Sequence, residues 1–343
     1  DCLLSRGLGD VYKRQVCYNM KMWELQNSLI QCDNKREEKF LKLEVKNLKK
    51  SFAGKEVLHG ISFSVESGKA LGLLGRNGAG KTTTIRILMD VFRANEGEIL
   101  LDGKPFVPRN HQIGYLPEER GLYPKRKVLE QMAYLAMLRN VPKAKAKENA
   151  KKWLERLEIG QYENNLLETL SKGNQQKVQL ASVLVCDPEI VILDEPFSGL
   201  DPVNSQILQD VVKELIAVGK IVIFSSHQMS YVEEFCEDIV IINQGQVVLE
   251  GNLNEIKLAY GRDQLILGDR NKSVQEFKQF CEQELIEVLQ VCGQTKDALI
   301  VKLLDGQTRK DLLKALLEKN VEVEQFETYK PSLNCLLYTS DAA

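Results

Sequence analysis

GRNGAGKTT, residues 75–83, is the stretch whose reading decides the fold. It fits the pattern G-x-x-x-x-G-K-[ST]. A strand-like apolar run precedes it (GKALGLLG, 68–75), and apolar residues at helical spacing follow (TTTIRILMDVF, 82–92). Such a loop turns successive backbone N–H groups inward and makes a nest for an anion. Glycines at 75, 78 and 80 let the chain bend and approach phosphate oxygens with no side chain in the way. The helix that starts there adds about half a positive charge at its N-terminus. The loop assigns phosphate binding to Gly75, Arg76, Asn77, Gly78, Ala79, Gly80, Lys81, Thr82 and Thr83. Lys81 is placed to reach the β and γ phosphates, and Thr82 to offer its hydroxyl to Mg²⁺.

EIVILDEP, 189–196, supplies the other half of such a site. Asp194 ends an apolar strand, a position from which a carboxylate holds Mg²⁺, usually through water. Glu195 follows it at the mouth of the site. There it can orient and deprotonate an attacking water, worth roughly 10²–10⁴ in rate, or it only caps the next segment.

Outward from these two stretches the chain reads as alternating elements. LKLEVKNLKKSF (41–52) and KEVLHGISFSV (55–65) alternate apolar and polar residues as antiparallel partners, and EGEILLDGKPF (96–106) reads as a hairpin. Residues 125–168 form a heavily charged helical region. EIVILDEP, KIVIFSSH (220–227) and DIVIINQGQVVLEG (238–251) are short β-branched runs separated by helices, as in a mostly parallel sheet covered on both faces. From 251 the text changes to strand, helix, strand, helix, strand: DQLILGD, SVQEFKQFCEQELIEV, DALIVKLL, TRKDLLKALLEKN and VEVEQFET. Ser273 with Glu276, and Thr308 with Asp311, have capping-box spacing. This reads as a small α+β domain, ferredoxin-like in its alternation, and as a regulatory or docking appendage with no catalytic constellation.

Composition excludes several alternatives. The 343 residues carry 43% hydrophobic and 27% charged residues with a formal net charge of −2, so no basic excess points to nucleic acid. The three His and eight Cys form no CxxC pair and no zinc-type spacing, and the Cys read as reduced small hydrophobes of a cytosolic chain. The longest apolar runs, such as IVIF at 221–224, fall far short of the ~20 residues of a membrane helix, so any membrane role comes through a partner.

Both ends look foreign. DVYKRQ (10–15) can be encoded by GATGTGTATAAGAGACAG and CLLYTS (335–340) by TGTCTCTTATACACATCT, which are reverse complements over most of their length and resemble a transposon end used as a sequencing adapter. Residues 1–15 and 335–343 are therefore expected to be non-native, with 16–39 an N-terminal extension, 40–250 the nucleotide domain and 251–334 the accessory domain.

Taken together, the order of motifs over 40–250 resembles the nucleotide-binding subunit of ABC transporters. The resemblance implies an α/β fold of the P-loop NTPase ABC type: a mixed sheet core, an antiparallel β subdomain and a helical subdomain. It places Phe52 against adenine, although a packed strand aromatic is the rival reading. FSGLD (197–201) resembles the family's D-loop, which sets Asp201 near a dimer interface. His227 in IFSSH matches its switch histidine, which contacts the γ-phosphate and the catalytic Glu. LSKGNQQKVQ (170–179) stands where the family has its signature, commonly LSGGQ. That segment binds the γ-phosphate of ATP held by the other subunit. Ser171 offers a hydroxyl, Gly173 an N–H, and the helix starting there points its positive end at the anion. Lys172 and Asn174 depart from the family spelling; Lys172 either points to solvent or adds a cation near the partner's phosphate.

In YLPEERGLYP (115–124), Glu118 takes the place of the family's Gln. The resemblance makes Glu118 a residue of the catalytic and metal site, where its charge costs Coulomb energy unless Mg²⁺ or Arg120 compensates. These spellings together resemble the subgroup with a small C-terminal domain that includes sodium-efflux and ABC-2-type exporters. KPSLN (330–334) resembles the point where such chains run into PSLNEIF, so a short native tail is expected to be missing. The implied function is the ATP-hydrolysing motor of an exporter. It implies ATP and Mg²⁺ as cofactors, a homodimer, a separate transmembrane permease as partner and no nucleic acid. The implied location is cytoplasmic, on the inner face of the membrane, with contact only through the permease. Residues 125–168 and the loop after Glu118 are the expected docking surface. A soluble translation or repair ATPase would carry two cassettes or a long coiled coil between Lys81 and Ser171, and a non-hydrolysing sensor would have no use for Glu195 and His227.

Overall fold

The computed structural model describes residues 40–119, 121–198, 200–261 and 263–340. The expectations for 1–15, for the 16–39 extension and for Arg120 lie outside the described residues. Strands β1 (Lys42–Phe52) and β2 (Lys55–Glu66) form the antiparallel hairpin that their alternation predicts, and β3 (Ala70–Leu74) is buried along its whole length. The phosphate loop follows, then helix α1 (Lys81–Leu88) and the hairpin of β4 (Glu96–Leu101) and β5 (Lys104–Pro105). After β6 (Ile113–Leu116) the chain enters three helices, α2 (Val128–Leu138), α3 (Lys143–Arg156) and α4 (Lys172–Leu184). It returns through β7 (Ile190–Asp194), α5 (Pro202–Ala217), β8 (Ile221–Ser225), α6 (Met229–Phe235), β9 (Asp238–Asn243), β10 (Gln246–Asn252) and α7 (Leu253–Tyr260).

These strands make two sheets. One is antiparallel in the order β2-β1-β4-β5. The other runs β10-β9-β3-β8-β7-β6, parallel from β9 to β6, with β10 antiparallel at its edge. Wholly apolar runs such as IVIL and IVIF fill this sheet because both faces are covered. One face packs against α2–α6 in a core that includes Val191, Phe224 and Leu180. The other packs under β1, β2 and α1 through Leu73, Ile192 and Ile85.

A third sheet is built by β11 (Gln264–Asp269), α8 (Val274–Glu284), β12 (Leu289–Gln294), β13 (Leu299–Leu303), α9 (Arg309–Glu318) and β14 (Val323–Thr328), in the order β12-β13-β11-β14. That is the βαββαβ ferredoxin-like arrangement. It has one strand more than the sequence reading recovered. LQVCGQ falls between the helical segment ending at Val288 and the strand DALIVKLL and carries no assignment from the sequence; in the structure α8 ends at Glu284 and β12 alternates buried and outward residues. Both capping boxes form: Ser273 Oγ accepts from Glu276 N, and Thr308 Oγ1 from Asp311 N.

The first core reaches past 250, since Leu253 and Ile256 of α7 pack within it. Helix α10 (Leu333–Ser340) runs into the stretch expected to be foreign and lays Leu333 and Leu336 into the same core. Leu333 N donates to Glu233 of α6, which also pairs with Lys257 of α7 at 2.9 Å.

The third sheet has a core of its own around Phe277, whose side chain is buried. Phe277→Ala should therefore cost about 3–5 kcal/mol of local stability. Scanning calorimetry should show the C-terminal domain melting earlier while the transition of the first two cores stays in place; a uniform shift of the whole endotherm would show that the cores do not melt separately.

Candidate functional site

The site lies where β3, β7 and β8 end, at the carboxyl edge of the parallel sheet, where open α/β sheets bind ligands. The loop after β3 bends tightly there. Gly75 has φ 146°, and a Cβ on it would lie 2.2 Å from Ile242 O, so no other residue fits. Gly78 by contrast opens onto free space. The turn between β9 and β10 supports the loop from behind, where Gly245 N donates to Ala79 O at 2.9 Å. Arg76 and Asn77 are exposed, Ala79 and Gly80 are buried, and Thr82 and Thr83 are half-buried in the first turn of α1.

Lys81 is buried, and its ammonium crosses the loop to donate to Gly75 O at 2.7 Å and Arg76 O at 3.3 Å. Burial pulls its pKa down, opposed by the charges of Glu195, Asp194 and Glu118. Asp194 is buried too, and burial raises its pKa above the usual carboxylate value. The Ser225 hydroxyl opposes that rise, and the neighbouring Glu118 and Glu195 reinforce it. Ser225 stands opposite Asp194 in the β7–β8 register, yet its buried Oγ has no hydrogen-bond partner of good geometry. Two acids and a lysine thus share a buried pocket under the loop, with an unsatisfied hydroxyl beside them and Glu118 at its exposed rim.

Glu195 takes a left-handed backbone conformation, φ 50°, which is strained for a side chain of this size. Its amide is held by Ser225 O at 2.9 Å. Its carboxylate is held at both oxygens: His227 Nδ1 lies 2.8 Å from Oε1, and Ser226 Oγ donates to Oε2 at 3.3 Å. The rings below fix this pairing. Phe197 stacks on Tyr231 at 4.0 Å between centroids and meets Phe224 and Phe235, so the strand end carrying Glu195 and the helix after His227 pack as one unit.

Ser171 is the N-cap of α4, with its Oγ accepting from Asn174 N at 3.3 Å. Ser171 and Lys172 are exposed. Gly173 is half-buried where α4 meets α5. A Cβ there would lie 2.8 Å from Asn204 Nδ2, so it lets α4 approach the start of α5. Asp201 caps α5 and accepts from Asn204 N at 2.9 Å, which holds its carboxyl below the usual value. Phe52 sits at the tip of β1, 38% exposed, edge-on to Phe92 with Lys50 Nζ 5.0 Å from its centroid. It is neither a core ring nor an isolated one.

The structure brings Lys81, Asp194, Glu195, Glu118 and His227 together, and leaves Ser171, Asp201 and Phe52 outside that cluster, facing solvent. Among the described residues, no group of three or more His, Cys, Asp and Glu is arranged to hold a metal by itself. Sequence reasoning missed Ser225, Ser226 and Gly245. The two serines lie in the same IFSSH run as His227, and Gly245 marks a turn, but neither signal points to a site without the fold.

A family model described as "ABC transporter" matches residues 58–198, and one described as "ATP-binding protein DrrA1-3-like, C-terminal domain" matches 251–334. The chain is 38% identical to the uncharacterized ABC transporter ATP-binding protein YhaQ of Bacillus subtilis over 85% of this chain and 96% of that one. It is 30% identical to the lipopolysaccharide export system ATP-binding protein LptB of Haemophilus influenzae, over 67% of this chain and 98% of that one. Among solved structures, an ATP-binding subunit of an ABC transporter superposes with TM-score 0.60 at 28% identity, covering 70% of this chain and 99% of that one.

The raised pKa of Asp194 means that the folded chain holds this proton more tightly than the unfolded chain does. The contribution of this carboxyl to stability is therefore present below 3.8 and is lost as pH rises through its folded value. Burial penalises the charged carboxylate, so the group burdens the fold at the high-pH end. Asp194→Asn should raise the melting temperature at pH 7, at the roughly 2–4 °C that each kcal/mol is worth in a domain of this size, while hydrolysis collapses. A fall in melting temperature, read by fluorimetry, would contradict the assignment.

Proposed function

The chain belongs to the ATP-binding proteins of ABC transporters, which bind and hydrolyse ATP and work with transmembrane permeases, and from that premise we propose that it drives an exporter as one of two identical chains. The observation that carries the catalytic reading is the Glu195 carboxylate, strained in backbone, gripped by His227 and Ser226, and set one residue after Asp194. Held at both oxygens, it keeps lone pairs free to orient a water and take its proton. His227 contacts Oε1 of that carboxylate and reports on the γ-phosphate. Gly75 through Thr83 cradle the phosphates, and Lys81 turns from its two carbonyls toward them. Phe52 offers one ring face to adenine.

Mg²⁺ fits the residues present. Asp194 and Glu195 lie near one another under a single lysine with Glu118 beside them, the orphaned Ser225 hydroxyl lies with them, and Thr82 opens the adjacent helix. Thr82 and Asp194 would hold the ion, with Glu118 alongside. When bound, it supplies positive charge against the phosphate oxygens and offsets the repulsion among the acids.

Ser171 and Gly173 serve the nucleotide of the other chain, and Asp201 lies near the shared interface. What supports this reading is the exposed position of Ser171 and Asp201 at helix N-termini, outside the cluster around Lys81. ATP closes the pair and hydrolysis reopens it. Export is supported by the likeness to LptB, named for an export system. No helix among the described residues is long and apolar enough to cross a membrane. The permease docks on the loop after Glu118 and the helical region 125–168, where Tyr123, Tyr134 and Leu138 stand exposed, with the chain on the inner face of the membrane.

Glu195→Gln should slow hydrolysis by about 10²-fold or more while ATP still binds. Light scattering of that variant should show a dimer with ATP and a monomer with ADP. Hydrolysis near the wild-type rate, or a monomer under both nucleotides, would overturn the reading.

A further inference from the structure

Three glutamines of α4 donate to backbone carbonyls outside the helix. Gln175 Nε2 reaches Leu170 O at 2.9 Å and secures the helix start. The other two reach farther. Gln176 Nε2 donates to Pro196 O at 2.5 Å, one residue beyond Glu195. Gln179 Nε2, on a side chain only 7% exposed, is shared between Pro117 O at 3.4 Å and Glu119 O at 3.2 Å, the two carbonyls that flank Glu118. Both receiving segments have just left a strand, since β7 ends at Asp194 and β6 at Leu116, so their carbonyls have no ladder to satisfy them.

An α-helix is stiff along its axis, with a rise of about 1.5 Å per residue, so Gln176 and Gln179 follow any tilt or shift of the Ser171 end as a rigid rod would. We propose that Gln176 and Gln179 are positioning residues that couple the two nucleotide sites of the pair. The seating of Ser171 on the partner's nucleotide is carried along α4 to the carbonyl behind Glu195 and to both carbonyls around Glu118 of the same chain. One chain's catalytic carboxylate is thereby set by the nucleotide its partner holds. This rests on the reading that Ser171 engages the partner's ATP. It adds a route through side chains of α4 that touch neither nucleotide.

The test uses the full chain and MgATP. Gln176→Met and Gln179→Met, singly and together, keep an unbranched side chain of similar length and remove the N–H donors. Wild type should hydrolyse ATP with a Hill coefficient approaching about 2, the number of coupled sites, and the double variant with about 1. kcat should fall about tenfold or more, as expected for a displaced reacting group. Binding of a fluorescent ATP analogue to the monomeric chain should stay within about twofold of wild type, and thermal melting should hold. Gln176→Lys, which restores an N–H donor on a straight chain, should recover cooperativity at that position. Should the double variant melt early, the single Gln176→Met variant, whose side chain is only half-buried, gives the same readout. Cooperativity and kcat within about twofold of wild type in the variants would overturn the proposal. So would losses that merely track nucleotide affinity or melting. A wild type that neither dimerises with ATP nor shows cooperativity would remove the paired-site reading first, and this proposal with it.

Discussion

The Lys81 ammonium is buried at the head of α1, and a buried charge must find partners or lose its proton. It finds Gly75 O and Arg76 O, and behind them the field of Asp194, Glu195 and Glu118. Each partner needs its own support. Gly75 has to be glycine because Ile242 O lies where a Cβ would stand. Asp194 can be buried only because a cation and a hydroxyl lie nearby, and Glu195 is held in a strained turn by β8. The parallel sheet exists to bring these strand ends side by side, and the phosphate chemistry follows from the charges gathered there. The same field argues against a chain that merely senses nucleotide, since Glu195 is oriented at both oxygens.

A second constraint is that the helix N-terminus suited to binding an anion at Ser171 faces outward. On a single chain that charge has nothing to act on. α4 nevertheless stays tied to the catalytic loops through Gln176 and Gln179, and Gly173 lets it nest against Asn204 of α5. A helix anchored at its inner side and open at its tip is suited to read a partner and report inward.

Much of this was legible in the sequence. GRNGAGKTT and EIVILDEP announce themselves because each combines special residues with the apolar run that must precede them, and capping boxes are local, so Ser273 and Thr308 could be read three residues at a time. β12 could not, because LQVCGQ is short, contains a glycine, and follows a helix with no breaker between them. The strain at Glu195, the support of Gly245 behind the loop and the reach of Gln179 depend on segments dozens of residues apart. Polar residues such as NQQKVQ look alike whether they face water or a carbonyl; only packing tells them apart. Gly173 shows the same limit, since its close approach to Asn204 depends on how α4 packs against α5.

The central claim is that the phosphate loop of one chain and the Ser171 end of another meet on one ATP. It is tested most directly by placing cysteines at Asn77 and Ser171 in the Glu195→Gln chain, with the native cysteines replaced. Under mild oxidation the account expects a covalent dimer on a non-reducing gel with ATP and none with ADP. A disulfide within one chain regardless of nucleotide, or no crosslink while ATP is bound, would contradict it.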